Sequence, residues 1–401
     1  MRIIHIEDFF LSDTGYQINI IPKYQVIQGH EVYIVTSNTV GMKKPALEFF
    51  GEQNIEERDM LYQKQTGVQI IRVEPLTKKI ISGRIIQNIK LFKIVEDLKP
   101  DIVYIHGNDT LTGIRFLLRI NKLKYPIIMD SHMLSMASKN PFHKIFRTLY
   151  KLFITPKIIN NKIQIIRTQN DSYVQTELGI PLEQAPWISV GSDTSLFYPD
   201  EQIRKIFRKE NNIDNDDFVV LYTGKLDSAK GGLLLAEAFL EKFKNKKSKN
   251  IVLIVVGKTI GNYGAKVEEL FSNSKNKIIR FPTQKYTDLP KFYQAADLSV
   301  FPKQCSLSFY DAQACGLPVI AEDNNINIDR LKHGNGFSFK ADDVKDFRDK
   351  ILKCIEMDEQ DYKKMRDNAY KFVKEYYDYM NIAKQYTSIL ENECRKYWGN
   401  K

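Results

Sequence analysis

Short apolar runs alternate with helix-length stretches along this chain, and the alternation is gone through twice, which leaves few architectures open. Residues 2–6, 31–36, 69–73, 101–106, 127–130 and 163–168 read as strands, with helices over 17–28 and 86–98 between some of them. The pattern restarts at 218–222, 251–256, 277–281, 298–301 and 317–321, with a helix over 233–243, and the charged end at 358–399 reads as helical. Strands alternating with helices build parallel sheets whose crossovers cover both faces. The expected class is therefore α/β, with two Rossmann-like, doubly wound domains facing a cleft. Length agrees, because 401 residues exceed the roughly 250 to 300 at which a single core stops growing. No apolar run approaches the roughly 18 to 20 residues of a membrane span, and the first ten residues are too short and acidic for a leader. These features predict a cytoplasmic protein.

Charge is distributed unevenly. The net charge is +10, and residues 131–170 contain no Asp or Glu. In that stretch Lys139, Lys144, Arg147, Lys151, Lys157, Lys162 and Arg167 are interleaved with Phe142, Phe146, Tyr150, Leu152 and Phe153. Helical spacing brings Phe142, Phe146, Tyr150 and Phe153 near one face. Two readings fit: a peripheral helix on anionic lipid over 139–167, or a core-facing amphipathic helix with solvated lysines. Nucleic acid is the weaker partner, since no RNA- or DNA-binding motif accompanies the patch. Cys305, Cys315, Cys354 and Cys394 have neither metal-like spacing nor the density of a disulfide scaffold, and read as reduced packing residues.

Two segments carry the chemistry. In Ser-Leu-Ser-Phe-Tyr-Asp-Ala-Gln-Ala-Cys-Gly-Leu-Pro-Val-Ile-Ala (306–321), Ser306 or Ser308 is a candidate N-cap and Asp311 follows in the first turns. Gly316 ends the helix and a buried strand begins. Free N–H groups around Ser306, Leu307 and Ser308 suit an anion, and a sugar nucleotide fits such a place. In Tyr-Thr-Gly-Lys-Leu-Asp-Ser-Ala-Lys-Gly-Gly (222–232), a strand ends in Gly224, where backbone can approach a ligand closely. Lys225 and Lys230 then offer ammonium groups to a diphosphate. Gly257 ends the next strand, where open α/β sheets bind ligands, and the spacing of a Walker-type phosphate loop is absent. His106, Asp130 and His132 stand at strand ends on the other domain, and Gly15 lies in its first strand-to-helix turn. No Asp-x-Asp element and no His/Cys ligand spacing appears, so neither metal nor other cofactor is expected. Lysines and backbone amides would stabilise the leaving group.

The first segment resembles the donor-site signature of the GT-B glycosyltransferases of family 4, a Glu-x7-Glu element leading into Ala-Cys-Gly-x-Pro-Val-Ile. Here Asp311 replaces the second Glu and Lys303 falls on the first. The second segment resembles the family's Gly-Arg-Leu-x-x-x-Lys-Gly, with Lys225 for the Arg, which loses the bidentate fork and keeps the charge. Gly191, Asp193, Phe197 and Pro199 resemble the segment joining the two lobes. The resemblance implies an N-terminal acceptor-side domain over 1–190, a donor domain over 191–376 and a helix over 377–401 bracing the first domain. It implies a retaining, metal-independent, hexosyltransferase-type enzyme. Such an enzyme moves a sugar from a nucleotide-diphosphate donor to a glycan or lipid-linked acceptor in cell-surface polysaccharide synthesis, at the inner membrane face. By the same resemblance, Lys225, Lys230, His132 and Asp311 are the catalytic residues. Asp311 meets the ribose hydroxyls, His132 the donor sugar, and Gly15, Gly224, Gly257 and Phe281 the rest of the donor, Phe281 at the base. His106 and Asp130 fall on the acceptor side. The missing carboxylate leaves open a degenerate nucleotide-sugar-binding partner subunit, and the basic patch a nucleic-acid glucosyltransferase.

Overall fold

The computed structural model describes residues 1–42, 54–80, 84–133 and 142–399. The chain divides into two compact units, Met1–Val190 with Tyr379–Lys401, and Gly191–Asp378.

In the first unit, β1 (Arg2–Glu7), β2 (Glu31–Ser37), β3 (Gln69–Val73), β4 (Ile102–Ile105), β5 (Ile127–Ser131) and β6 (Ile165–Arg167) form one parallel sheet in the order β3-β2-β1-β4-β5-β6. Parallel strands are buried on both faces, hence their near-continuous Ile and Val. Ile3, Ile4, Val103, Ile105 and Ile128 have no exposure. His5 is the exception in β1, equally buried among them. The helix Tyr379–Gly399 packs on Gln17–Ile27. It is tied to the strand layer by Tyr386, whose hydroxyl donates to Ile188 O at 3.2 Å, and by Trp398, whose Nε1 donates to Asp101 O at 3.0 Å.

The second unit repeats the design with β7 (Phe218–Thr223), β8 (Ile251–Val256), β9 (Lys277–Phe281), β10 (Leu298–Phe301), β11 (Val319–Glu322) and β12 (Gly336–Phe339), all parallel, in the order β12-β11-β10-β7-β8-β9. Both sheets thus reverse strand order at one point, between β1 and β4 and between β7 and β10, where doubly wound folds bind ligands. The helix Glu201–Glu210, capped by Asp200 on the N–H groups of Gln202 and Ile203, is fastened to this sheet by a buried ion-pair cluster. Asp297 accepts from Arg204 Nη2 at 2.7 Å, Arg208 Nη2 at 2.6 Å and the Val219 N–H at 2.8 Å.

Several boundaries differ from the sequence reading, each for a local reason. The helix expected over 86–98 is Lys90–Asp97, because Asn88 Oδ1 takes the Lys90 N–H and Gln87 turns inward to Ser37. The helix over 233–243 is Gly232–Ala238, since Ser274 and Asn276 capture the Phe239 carbonyl. The stretch 358–399 is two helices, Glu359–Tyr376 and Tyr379–Gly399. Of the four aromatics expected on one face near 150, Tyr150 is buried and Phe146 half-buried, whereas Phe142 and Phe153 lie open. Lys139 and its neighbours through 141 lie outside the described residues. Among the described residues no helix is long and apolar enough to cross a membrane.

Replacing Asp297 with Ala strands two guanidinium groups in a buried place, which costs about 3–5 kcal/mol. Urea unfolding of Asp297→Ala should show a loss of that size, and a loss under about 1 kcal/mol would refute the fastening role.

Candidate functional site

In the second unit the C-terminal ends of β7 and β8 meet as bare backbone. Gly224 and Gly257 hold φ of +143° and +148°. A Cβ on Gly257 would lie 1.9 Å from Gly224 O. Only glycine fits there, and the pair leaves main chain open to a ligand. Lys225 extends from this edge, exposed, with its carbonyl accepting from the Tyr222 hydroxyl at 2.5 Å. Lys230 is half-buried, and its Nζ donates to Cys305 O at 3.1 Å. Burial lowers its pKa, and the nearby Arg330 and Lys225 add to that. Arg330, which no motif flagged, donates from Nη1 to Ser306 O at 3.1 Å and lies over the Tyr310 ring at 4.6 Å. Two cations therefore grip consecutive carbonyls of the loop after β10.

That loop enters the helix Ser308–Ala314, whose N-cap is Leu307 without a side-chain cap. Neither Ser306 nor Ser308 caps it, a correction to the sequence reading. The Ser308 hydroxyl bonds instead to Tyr293, itself 2.7 Å from Thr223. At the far end Gly316 has φ +70°, its N–H bonding Gln313 O and the Leu317 N–H bonding Ala312 O, a Schellman closure. With Pro318 next, the strand starts only at Val319.

Asp311 is buried, accepting from the Ser192 hydroxyl at 2.7 Å and the Tyr286 hydroxyl at 3.4 Å. Both bonds reach Oδ1. Burial pushes its pKa up to about 7, because two neutral hydroxyls offset little of the desolvation. Lys303, standing where the signature has its first Glu, pairs with Asp342 at 2.7 Å. With Gly231 and Tyr263 the pair lines a cavity of about 290 Å³. The Phe281 ring is turned into an aromatic cluster, 4.8 Å from Phe292 and 5.8 Å from Phe207. Its carbonyl accepts the Gly257 N–H. The ring is thus committed to packing, which corrects its expected role against a base.

In the first unit Gly15 follows a turn in which the Thr14 N–H already bonds Leu11 O. His106, Asp130 and His132 come together at the ends of β4 and β5. Asp130, fully buried, accepts on Oδ2 from the Tyr104 hydroxyl at 2.8 Å, on Oδ1 from the Gly107 N–H at 2.7 Å, and lies 2.8 Å from His106 Nδ1. His132 Nε2 is 3.2 Å from the same Oδ2. The ligand-type atoms of the three side chains lie within 4.8 Å of one another, a spacing set by the hydrogen bonds they make among themselves. Burial alone would raise the Asp130 pKa, yet the two histidines hold it well below the usual range. For His132 burial works downward, and Asp130 outweighs it, leaving a pKa of about 8. Its Nδ1 is 3.2 Å from Thr168 Oγ1, whose own hydrogen goes to Ser131 O. Both His132 nitrogens therefore have partners, and its side chain, 46% exposed, offers outward mainly a positive charge below about pH 8. Asp130 and His106 are buried behind it and cannot touch an acceptor directly, which corrects that expectation. Ser192, Tyr286, His5 and Tyr104 escaped the sequence reading. For His5 the only signal was a polar residue inside an apolar strand.

Because the Asp311 pKa is raised, the folded state holds a proton between about pH 4 and 7 that the unfolded chain has released, so its contribution to stability falls as pH rises through 7. Asp311→Asn removes that fall. Its Tm should exceed that of the parent by roughly 3–8 °C at pH 8 and by under about 2 °C at pH 5. Equal differences at both pH values would refute it.

Residues 203–372 match the family model described as glycosyl transferases group 1. A probable sucrose-phosphate synthase of Thermosipho melanesiensis is 24% identical, the alignment covering 91% of this chain and 87% of that protein. The lipopolysaccharide 1,2-N-acetylglucosaminetransferase of Salmonella typhimurium is 24% identical over 64% of this chain and 69% of its own length. Among solved structures, a glycosyltransferase from Rickettsia africae superposes with a TM-score of 0.74 at 16% identity, covering 100% of this chain and 99% of that one. Anabaena HepE in complex with UDP and glucose does so with a TM-score of 0.71 at 16% identity, over 98% and 100%. The chain has the GT-B fold of these solved structures, and its residues 203–372 match the glycosyl transferases group 1 domain.

Proposed function

We propose that this protein transfers a sugar from a nucleoside-diphosphate donor, with retention at the anomeric carbon, to a glycan or lipid-linked acceptor, using no metal. The observation that carries the reading is the edge at Gly224 and Gly257 within the glycosyl transferases group 1 domain, where bare backbone, Lys225 and Lys230 converge. A diphosphate needs close main-chain approach and positive charge, and the lysines supply the charge a divalent cation would otherwise bring. Asp311 suits a ribose diol, since hydroxyl donors favour its ionised form. The solved structures of Anabaena HepE with UDP and with UDP-glucose support a nucleotide sugar as donor.

A panel of nucleotide sugars, followed by released nucleoside diphosphate, tests this. At least one should be consumed, and Lys225→Ala, Lys230→Ala and Asp311→Ala should each weaken donor binding tenfold or more, about 1.4 kcal/mol. Wild-type affinity in all three variants would put the site elsewhere. Tight binding without release under any acceptor would instead favour the partner-subunit reading, to which the Lys303–Asp342 pair at the signature position lends support.

The acceptor side includes a membrane contact in this proposal. On the helix His143–Phe153, Ile145, Leu149, Leu152 and Phe153, with Phe142 before it, are 50–68% exposed. At about 100° per residue they share one arc of about 100°, with Lys144 and Lys151 lying beyond its edge, about 130–150° from its centre. A solvated helix does not keep five large apolar groups in water, whereas an interfacial one buries them among acyl chains and sets its lysines on anionic headgroups. The protein should sediment with phosphatidylglycerol-containing vesicles and not with phosphatidylcholine alone. A double substitution Ile145→Glu, Leu149→Glu should cut binding more than tenfold, and unchanged sedimentation would remove the membrane from the proposal.

A further inference from the structure

Behind Asp130 runs a file of buried polar groups. Gln25 Oε1 is 2.7 Å from His5 Nε2, His5 Nδ1 is 3.0 Å from His106 Nε2, and His106 Nδ1 is 2.8 Å from Asp130 Oδ2. His5 and Gln25 have no exposure and His106 has 4%. The two rings are stacked 5.3 Å apart at 19°, and Tyr104 leans on both. A file of this length inside an Ile-rich sheet is costly unless every link is made.

Counting hydrogens shows what it does. Gln25 Oε1 and Asp130 Oδ2 only accept, so His5 Nε2 and His106 Nδ1 must both carry hydrogen. The 3.0 Å link between the rings needs a third, one more than two neutral imidazoles possess. Alternatively Gln25 turns its amide, Nε2 toward His5, and two hydrogens suffice; as placed, that Nε2 is buried with no partner. In either arrangement His106 presents Nδ1–H to Asp130, because the carboxylate only accepts, and His5 Nδ1 is the partner of its other nitrogen. An apolar residue at position 5 would leave His106 Nε2 buried without that partner and the ring without its anchor on β1.

We propose that His5 is a positioning residue for His132, acting through His106 and Asp130. It anchors the His106 ring through Nε2, His106 with Tyr104 and the Gly107 N–H fixes the carboxylate, and the carboxylate fixes His132. The inference rests on the reading of His132 as the residue that meets the donor, but its geometry concerns this chain alone. The charged and titratable groups facing the file are Glu7 on β1, Asp109 after β4 and Tyr386 on the helix Tyr379–Gly399, with Arg84 beside Asp109.

The test sets packing against hydrogen bonding. His5→Phe keeps an aromatic ring in an apolar layer, while His5→Asn packs worse yet can place an amide where Nδ1 stood. Labelled histidine side chains are titrated by NMR, His132 being assigned from His132→Asn. The midpoint of His132, near 8 in the parent, should be displaced by at least about one pH unit in His5→Phe and by less than about 0.3 in His5→Asn, although Phe gives the more stable protein. With a donor found, kcat should fall at least tenfold in His5→Phe with donor affinity unchanged, and stay within threefold in His5→Asn. A His132 midpoint unmoved in folded His5→Phe, or moved equally by both variants, overturns the proposal. The titration needs no substrate. An inactive parent whose His132 shifts as stated would therefore sink the transferase reading and spare this one.

Discussion

Asp130 has no contact with water and four donors around it, and much of the first unit is arranged so that this can be so. The carboxylate stands on β5, the Tyr104 hydroxyl comes from β4, His106 and the Gly107 N–H from just after β4, and His132 from just after β5, while His5 on β1 backs His106. Each donor depends on the parallel register that sets three neighbouring strands level. A slip by one residue in β4 would turn His106 to the opposite face and leave the charge bare. The sheet thus fixes the network, and the network in turn specifies the register, which a run of interchangeable Ile and Val does not.

Three buried aspartates in this protein reach different ends from similar burial. Asp130, facing two imidazoles, is held well below the ordinary carboxyl range. Asp297, gripped by two guanidinium groups, serves as a fastener between a helix and a strand. Asp311, given only hydroxyl partners, rises to about 7. Partners, not depth, decide the outcome. The first two are satisfied within the chain, whereas the third has room for further hydroxyl donors, which would favour its ionised form. That difference separates a structural carboxylate from one suited to recognition.

The alternation of strands and helices was legible because period and length are local properties, and it led to the α/β class and two doubly wound sheets. Helix ends were less so. Asn88 sets a helix start by accepting the Lys90 N–H, and Ser274 and Asn276 stop a helix from more than thirty residues away by capturing the Phe239 carbonyl. The lysines and glycines after β7 stood out because they resemble one family segment and stand in the same chain as a second, not because charge and glycine after a strand are telling alone. Ser192, which bonds Asp311 from 119 residues away, carries no local mark. Nor does Arg330, in the last turn of the short helix Asn325–Leu331. The aromatic patch misled in a useful way. Spacing correctly suggested an amphipathic helix but could not say which arc the protein itself covers, and the exposed arc is the aliphatic one through Ile145, Leu149 and Leu152.

Lys303 sets the charge of this edge. An acid at this position would stand beside Gly231, whose hypothetical Cβ lies 3.0 Å from that of Lys303, and would add negative charge near Lys230 and Arg330. With lysine there instead, its ammonium 2.7 Å from Asp342, the two cations keep the loop carbonyls and, for Lys230, the nearby Asp227 as partners. The edge at Gly224 and Gly257 is therefore more electropositive than the signature pattern would make it, which in the proposed reading favours a diphosphate and leaves recognition of the sugar to other groups.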